Sequence, residues 1–342
     1  MPEMMKAIGF QQHLPVTAER SLFEFETIKP QATGRDLLIK IEAVAINPLE
    51  VRMRATGKET LEKPRILGWD AVGIVEDCGK DVAMFAKGER VFYAGALDRP
   101  GCNADYQVVD ERLVGHAPHT LSVAQIAALP VTALTAWEAL FERLAIKQDK
   151  HSNQGKTILI INGAGGVGSI ATQLAHWVGL HVIATASRPE TIKWTLSHGG
   201  ADETLNHRKN LVTELNAAGH DSVDYILELN DIDGHWEEMA KMIKPLGKIV
   251  SITGNKKPLD LGLLKAKSVT FLWEWMFTKS FYHLPEMSSQ HKILEKVADL
   301  LDEGVLESTV TKVFKTLSAA NLRQAHALVE TNRTIGKIVI CK

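Results

Sequence analysis

A chain of 342 residues is too long for one small core and fits two domains. With 45% hydrophobic and 23% charged residues and a net charge of −2, it has an ordinary globular make-up, with no reason to expect nucleic acid or an anionic membrane as partner. No apolar run reaches the roughly 18 residues that span a bilayer, MPEMMKAIGF carries no evident signal peptide, and three scattered cysteines without a CxxC pair suit a reducing cytoplasm.

Up to about residue 125 the pattern is one of short strands and turns. Leu37–Ile46 alternates apolar and polar residues, as a half-buried strand does. Gly73–Glu76, Glu89–Tyr93 and Asp105–Val109 read as further short strands, separated by Gly, Asp and Pro. This predicts a β-rich domain without long helices. Ser122–Leu129 is alanine-rich with helical spacing, and Thr132–Leu144 continues in that vein.

The β-branched run Thr157–Ile161 then ends in Gly163-Ala164-Gly165-Gly166-Val167-Gly168. A helical segment follows, Ser169–Val178, and a second apolar run, His181–Ala186. Strand, glycine turn, helix and strand in this order hold a dinucleotide pyrophosphate. Gly163 is expected to allow the tight turn, Gly165 to let backbone N–H groups approach the phosphates, and Gly168 to let the helix pack close. The helix N-terminus points its N–H groups and positive dipole end at the anion.

The residue after the second strand selects the coenzyme. An NAD site carries Asp or Glu about 20 residues past the glycines, to accept from the ribose 2′-hydroxyl. Here Ser187 and Arg188 stand there. A guanidinium beside a hydroxyl binds a 2′-phosphate through charge-assisted hydrogen bonds, and Lys193 one turn on adds a charge; Glu190 opposes them. The expected coenzyme is NADPH.

Strands at Glu203–Leu205, Asp224–Leu229, Gly247–Ile252 and Ser268–Leu272 follow, with helices at Glu190–His198, Asn210–Ala217 and His235–Met242. They predict an α/β doubly wound parallel sheet of the Rossmann type over 127–275. Asn230 and Thr253-Gly254-Asn255 end successive strands, where ligands of such sheets lie, and are candidates for ribose and carboxamide contacts. The run Phe271–Phe277 is dense in aromatics and reads as a core or interface segment, or as a wall of an apolar pocket. Beyond it come an amphipathic helix, Gln290–Asp302, a strand around Thr309–Val313, a helix at Ala319–Glu330 and a closing strand, Lys337–Cys341. That last strand needs a partner, and the β-rich first domain is the one available, so 1–126 and 276–342 are expected to form one domain.

The segments VAINPLEVRMR, LGWDAVGIVEDCG, KGERVF, LPVTALTAWEAL, INGAGGVGS and IGKIVI, in this order, resemble the medium-chain dehydrogenase/reductase superfamily. The resemblance is greatest to its quinone oxidoreductase branch and to bacterial zinc-type alcohol dehydrogenase-like proteins. It implies a GroES-like catalytic domain beside the Rossmann domain, with the active site in the cleft between them, and a homodimer. Zinc-dependent members hold their catalytic metal with a Cys, a His and a Cys at positions that correspond here to Asn47, Trp69 and Val131. An amide, an indole and an isopropyl group do not make a zinc site. His116 and His119 have no acidic or thiol neighbour in sequence. No metal is expected.

The resemblance also places Asn47 and Glu50 in the cleft, with Arg52 and Arg54 on the same segment, and Thr135 beside the nicotinamide. Asn47 is a donor to a substrate carbonyl oxygen or a turn residue before Pro48. Glu50 orients donors or lies at the surface, and Arg52 stands where relatives often have Tyr. Trp69 fills the space of a metal ligand and is a candidate to stack on a flat substrate. The leading expectation is a metal-independent NADPH-dependent reductase of quinones or α,β-unsaturated carbonyls, taking its proton from solvent. A zinc-type alcohol dehydrogenase and an NADPH-binding protein without catalysis are the alternatives.

Overall fold

The computed structural model describes residues 2–342. The chain divides into two compact units, Met1–Val131 with Phe277–Lys342, and Thr132–Met276. The first unit runs on to Val131 because the helix Val123–Ala127 packs on its strands Asp36–Ala45, Ala71–Cys78 and Lys337–Cys341.

The first unit is built on two sheets. In the smaller, Met4–Gln12 lies between Phe23–Ile28 and Thr60–Ile66, antiparallel to both. These three strands were not anticipated. The larger sheet has seven strands, with Asp36–Ala45 at its centre. One edge of that strand pairs with Ala71–Cys78 throughout. The other edge changes partner: Asp36 to Lys40 pair with Tyr106–Asp110, and Ala43 to Ala45 with the closing strand Lys337–Cys341. The closing strand is also parallel to Val310–Lys315. The C-terminal segment thus belongs to the β-rich unit. A short helix, Pro48–Ala55, starts with Pro at its first turn and buries Glu50, Val51 and Arg54. It too was not anticipated.

The second unit is a six-stranded parallel sheet. Counted along the chain from Thr157–Ile161, its strands lie in the order 3-2-1-4-5-6, the Rossmann arrangement. Thr157–Ile161 is buried at every position, as a central parallel strand covered on both faces must be. The segment read as one helix over 132–144 is an α-helix, Pro130–Trp137, followed by a π-helical turn, Glu138–Arg143. The last strand, Thr270–Trp273, ends the sheet, and Trp273 and Trp275 are about half exposed there. Glu274 and Met276 between and beside them are buried, the former paired with Arg143 at 2.8 Å. Among the described residues no helix is long and apolar enough to cross a membrane.

Candidate active site

The glycine turn leaves the carboxyl end of the central strand Thr157–Ile161. Its left-handed residue is Asn162, at φ 74°, and not a glycine. Asn is among the few residues that tolerate this region. Gly163 is needed for another reason than the turn: a Cβ there would lie 2.7 Å from Ala184 Cβ and 3.0 Å from Thr195 Cγ2. Gly168 has no alternative either, since its Cβ would meet the Asn162 carbonyl oxygen at 2.2 Å. A Cβ on Gly165 would meet the Asn162 side-chain amide at 2.9 Å and the Asn162 carbonyl oxygen only at 3.5 Å. The helix Gly166–Trp177 starts with Gly165 as its cap, and no side chain caps it. Gly166, Val167 and Gly168 form its first turn, where N–H groups and the helix dipole can hold a pyrophosphate.

Ser187 and Arg188 follow the second strand of this sheet, both half-buried. Arg188 caps the helix Pro189–Ser197, and its Nε lies 2.9 Å from Glu190 Oε1. Lys193 is exposed on the same helix. His207 joins this corner through its Nδ1, 3.1 Å from Thr185 Oγ1. Burial holds His207 below the usual imidazole range, and the positive charges of His235, Arg208 and Arg188 push the same way. Arg188 and Arg208 each follow the carboxyl end of one of two neighbouring strands, and the sequence reading had only the first of these charges.

The next two strands end on a carboxylate that the sequence reading missed. Glu228 is fully buried. Its Oε1 accepts from the Asn230 and Asp231 N–H groups at 2.5 and 2.6 Å. Its Oε2 accepts from the hydroxyls of Ser251 at 2.6 Å and Thr253 at 2.5 Å. One side chain thus fixes both loops that carry the predicted contacts. Asn230 and Gly254 are exposed, Thr253 half-buried, and Thr135 buried on its helix.

In the first unit Asn47, Trp69 and Val131 surround a buried carboxylate, Asp70. Its Oδ2 accepts from Asn47 Nδ2 at 2.9 Å and from Lys337 Nζ at 2.7 Å, and its Oδ1 from the Val131 N–H at 2.7 Å. Lys337, 3% exposed, also donates to Asn47 Oδ1 at 2.5 Å and to the Ile46 carbonyl at 3.0 Å. The second amide hydrogen of Asn47 goes to Glu50 Oε1 at 3.2 Å. Asn47 is the N-cap of its helix without capping it, because its side chain is spent on this cluster. Glu50 is fully buried, not at the surface. Trp69 is 2% exposed, donates its indole N–H to the Ala96 carbonyl at 3.1 Å and meets Phe277 edge-on. Arg52 is exposed, whereas Arg54 is buried against Glu330, the Leu14 carbonyl and His326.

Zinc does not fit this cluster. The donors are one carboxylate, one amide oxygen and a second carboxyl group, and an ammonium already bonds the first two. The Lys337 ammonium supplies the positive charge of this cluster from the chain itself. His116 does have acidic partners, Glu295 at 2.9 Å and Glu89 at 3.4 Å, both brought from elsewhere in the chain.

Burial pushes Glu50 up to about 8, against the charge of Lys337 and the Asn47 hydrogen bond. Asp70 is also raised by burial, but three donors including the ammonium oppose the rise. Both Asp70 oxygens meet only donors, which favours its ionised form against Lys337, and burial favours the proton on Glu50. The folded state keeps that proton where the unfolded chain releases it. Glu50 therefore contributes full stability at acid pH and loses it as pH rises from about 4.5 to about 8. Urea unfolding across pH 5–8 is expected to show Glu50→Gln losing less stability than wild type, by up to about 4 kcal/mol at the alkaline end. Parallel slopes would mean that Glu50 is ionised throughout.

The chain is similar to known proteins over nearly its whole length. The family described as alcohol dehydrogenase GroES-like domain matches residues 33–135, and that described as zinc-binding dehydrogenase matches 199–340. A zinc-type alcohol dehydrogenase-like protein of Staphylococcus aureus is 43% identical over 98% of this chain and 99% of its own. A crystal structure from Rhizobium etli, assigned provisionally to the zinc-dependent alcohol dehydrogenases, is 42% identical with a TM-score of 0.94, covering 100% of this chain and 99% of that one. The quinone oxidoreductase from Coxiella burnetii is 27% identical with a TM-score of 0.81, covering 99% and 100%.

Proposed function

The chain belongs to the medium-chain dehydrogenase/reductase superfamily, alongside the zinc-type alcohol dehydrogenase-like proteins, and from that premise we propose a metal-independent NADPH-dependent reductase of quinones or α,β-unsaturated carbonyls. The observation that carries this reading is Lys337 bonded to Asp70 and Asn47. Oxidising an alcohol requires removing its proton and stabilising the alkoxide, which zinc-dependent enzymes do with a Lewis-acidic metal. Hydride addition to a quinone or to the β-carbon of an enone gives a delocalised phenolate or enolate instead. Such an anion needs positioning and a donor, and solvent can protonate it.

Bound NADPH supplies the hydride. The turn Gly163–Gly168 and the helix start behind it hold the pyrophosphate. Ser187, Arg188 and Lys193, with Arg208, bind the 2′-phosphate. Glu228 fixes Asn230, Thr253 and Gly254 toward the ribose and carboxamide, and Thr135 serves the same end. Asn47 and Glu50 act as positioning residues through Asp70 and Lys337. Arg52, exposed on the helix Pro48–Ala55, offers a guanidinium to the developing oxyanion.

A second reading, coenzyme binding without turnover, draws support from the cluster: both amide hydrogens of Asn47 and three donor contacts of Lys337 are spent inside the protein. Steady-state oxidation of NADPH with a panel of quinones and enones separates the two. Turnover that survives exhaustive chelation is expected. Tight NADPH binding with no acceptor reduced would establish the second reading, and turnover lost on chelation would overturn the metal-free mechanism.

A further inference from the structure

Three side chains meet at the amino ends of the parallel strands in the second unit. His181 and Glu203 open the strands His181–Thr185 and Glu203–Leu205, and His220 precedes Val223–Glu228. The glycine turn lies at the other, carboxyl, end of the same sheet. The Nε2 atoms of His181 and His220 each lie 2.8 Å from one atom, Glu203 Oε1. Their rings are 5.3 Å apart, inclined by 37°.

We propose that His181, Glu203 and His220 form a binding site for a divalent borderline metal ion such as zinc. Two imidazoles and a carboxylate are the ligand types that zinc takes, and one atom from each lies within 4.8 Å of the others. Ligand atoms around a tetrahedral zinc are about 3.3 Å apart, so opening the two 2.8 Å contacts by about 0.5 Å admits the ion. Partial exposure of all three side chains leaves the fourth position to water.

The surroundings are those of a ligand set. Behind His181, Asp202 Oδ2 lies 3.5 Å from Nδ1 and is itself fixed by the Val182 N–H at 2.7 Å. A carboxylate behind a histidine keeps the proton on Nδ1 and turns the Nε2 lone pair to the metal. Each Nε2 lies at hydrogen-bond distance from Glu203 Oε1, so a metal ion takes the place of those protons as it binds.

The site is independent of the reaction proposed above, and it changes how metal content must be interpreted. Zinc found in the purified protein would ordinarily be assigned to the family's catalytic position. Here it belongs to His181, Glu203 and His220.

Calorimetric titration of the EDTA-stripped full chain with zinc chloride is expected to show one ion per chain. Binding should weaken at least tenfold in His220→Ala and in Glu203→Gln, while coenzyme affinity stays unchanged in both. Zinc should raise the melting temperature of the wild type and not of the variants. On the wild type alone, copper(II) electron paramagnetic resonance should show two nitrogen ligands, which needs no variant to fold. No saturable zinc binding, equal binding in both variants, or a copper spectrum without two nitrogens would overturn the assignment.

Discussion

Lys337→Met is expected to destabilise the first unit by about 3–5 kcal/mol, the usual consequence of removing one partner from a buried ion pair. Methionine fills most of the volume of the lysine stem, so the loss is electrostatic more than steric. Asp70 would stay fully buried with two amide donors and no cation, beside Glu50, a second buried carboxyl group. The carbonyl of Ile46 and Oδ1 of Asn47 would each lose a donor. Neutralising the remaining charge should restore much of the loss. The double variant Lys337→Met with Asp70→Asn is therefore expected to be more stable than Lys337→Met alone, with a coupling of about 2 kcal/mol or more between the two sites. Denaturant unfolding of the four proteins measures this. If zinc rescued Lys337→Met, the cluster would be a metal site with a lysine in it. If the single variant lost under about 1 kcal/mol, the pair would be wet and not the built-in cation described here.

The parts of this molecule that could be read from sequence are those whose signal is local. The turn Gly163–Gly168 lies within one strand-turn-helix unit, and two of its glycines are enforced by atoms of that unit or of the next strand. Lys337 is the opposite case. It opens a short apolar strand, where a lysine reads as a solvated end, and its partner Asn47 lies 290 residues away. What buries it is the change of partner along Asp36–Ala45, which no periodicity in either strand records. The helix Pro48–Ala55 was hidden because Glu50 and Arg54, polar in sequence, face inward to partners supplied by Lys337, Asn47 and Glu330. Arg208 sits in a polar run that reads as loop, and only the pairing of neighbouring strands places it at the same end of the sheet as Arg188. Glu228 ends a strand like any exposed carboxylate, yet four donors converge on it from two loops.

Arg188→Asp is expected to weaken NADPH binding by one to two orders of magnitude, because a charge-assisted contact to the 2′-phosphate contributes roughly 1.5–3 kcal/mol. NADH should bind better to the variant than to the wild type, since the new carboxylate can accept from the 2′-hydroxyl. Arg188 is paired with Glu190 at 2.9 Å. That contact opposes phosphate binding, because the guanidinium must be shared or released. Glu190 is half exposed, so the pair is worth about 0.2–1 kcal/mol. Glu190→Gln is therefore expected to tighten NADPH by up to about fivefold and to leave NADH unchanged. The two variants move NADPH affinity in opposite directions by unequal amounts, a pattern that general damage to the fold does not produce. Fluorescence titration with both coenzymes at low and high salt measures it. If neither variant separates NADPH from NADH, the 2′-phosphate is read elsewhere, and Arg208 is the residue to change next.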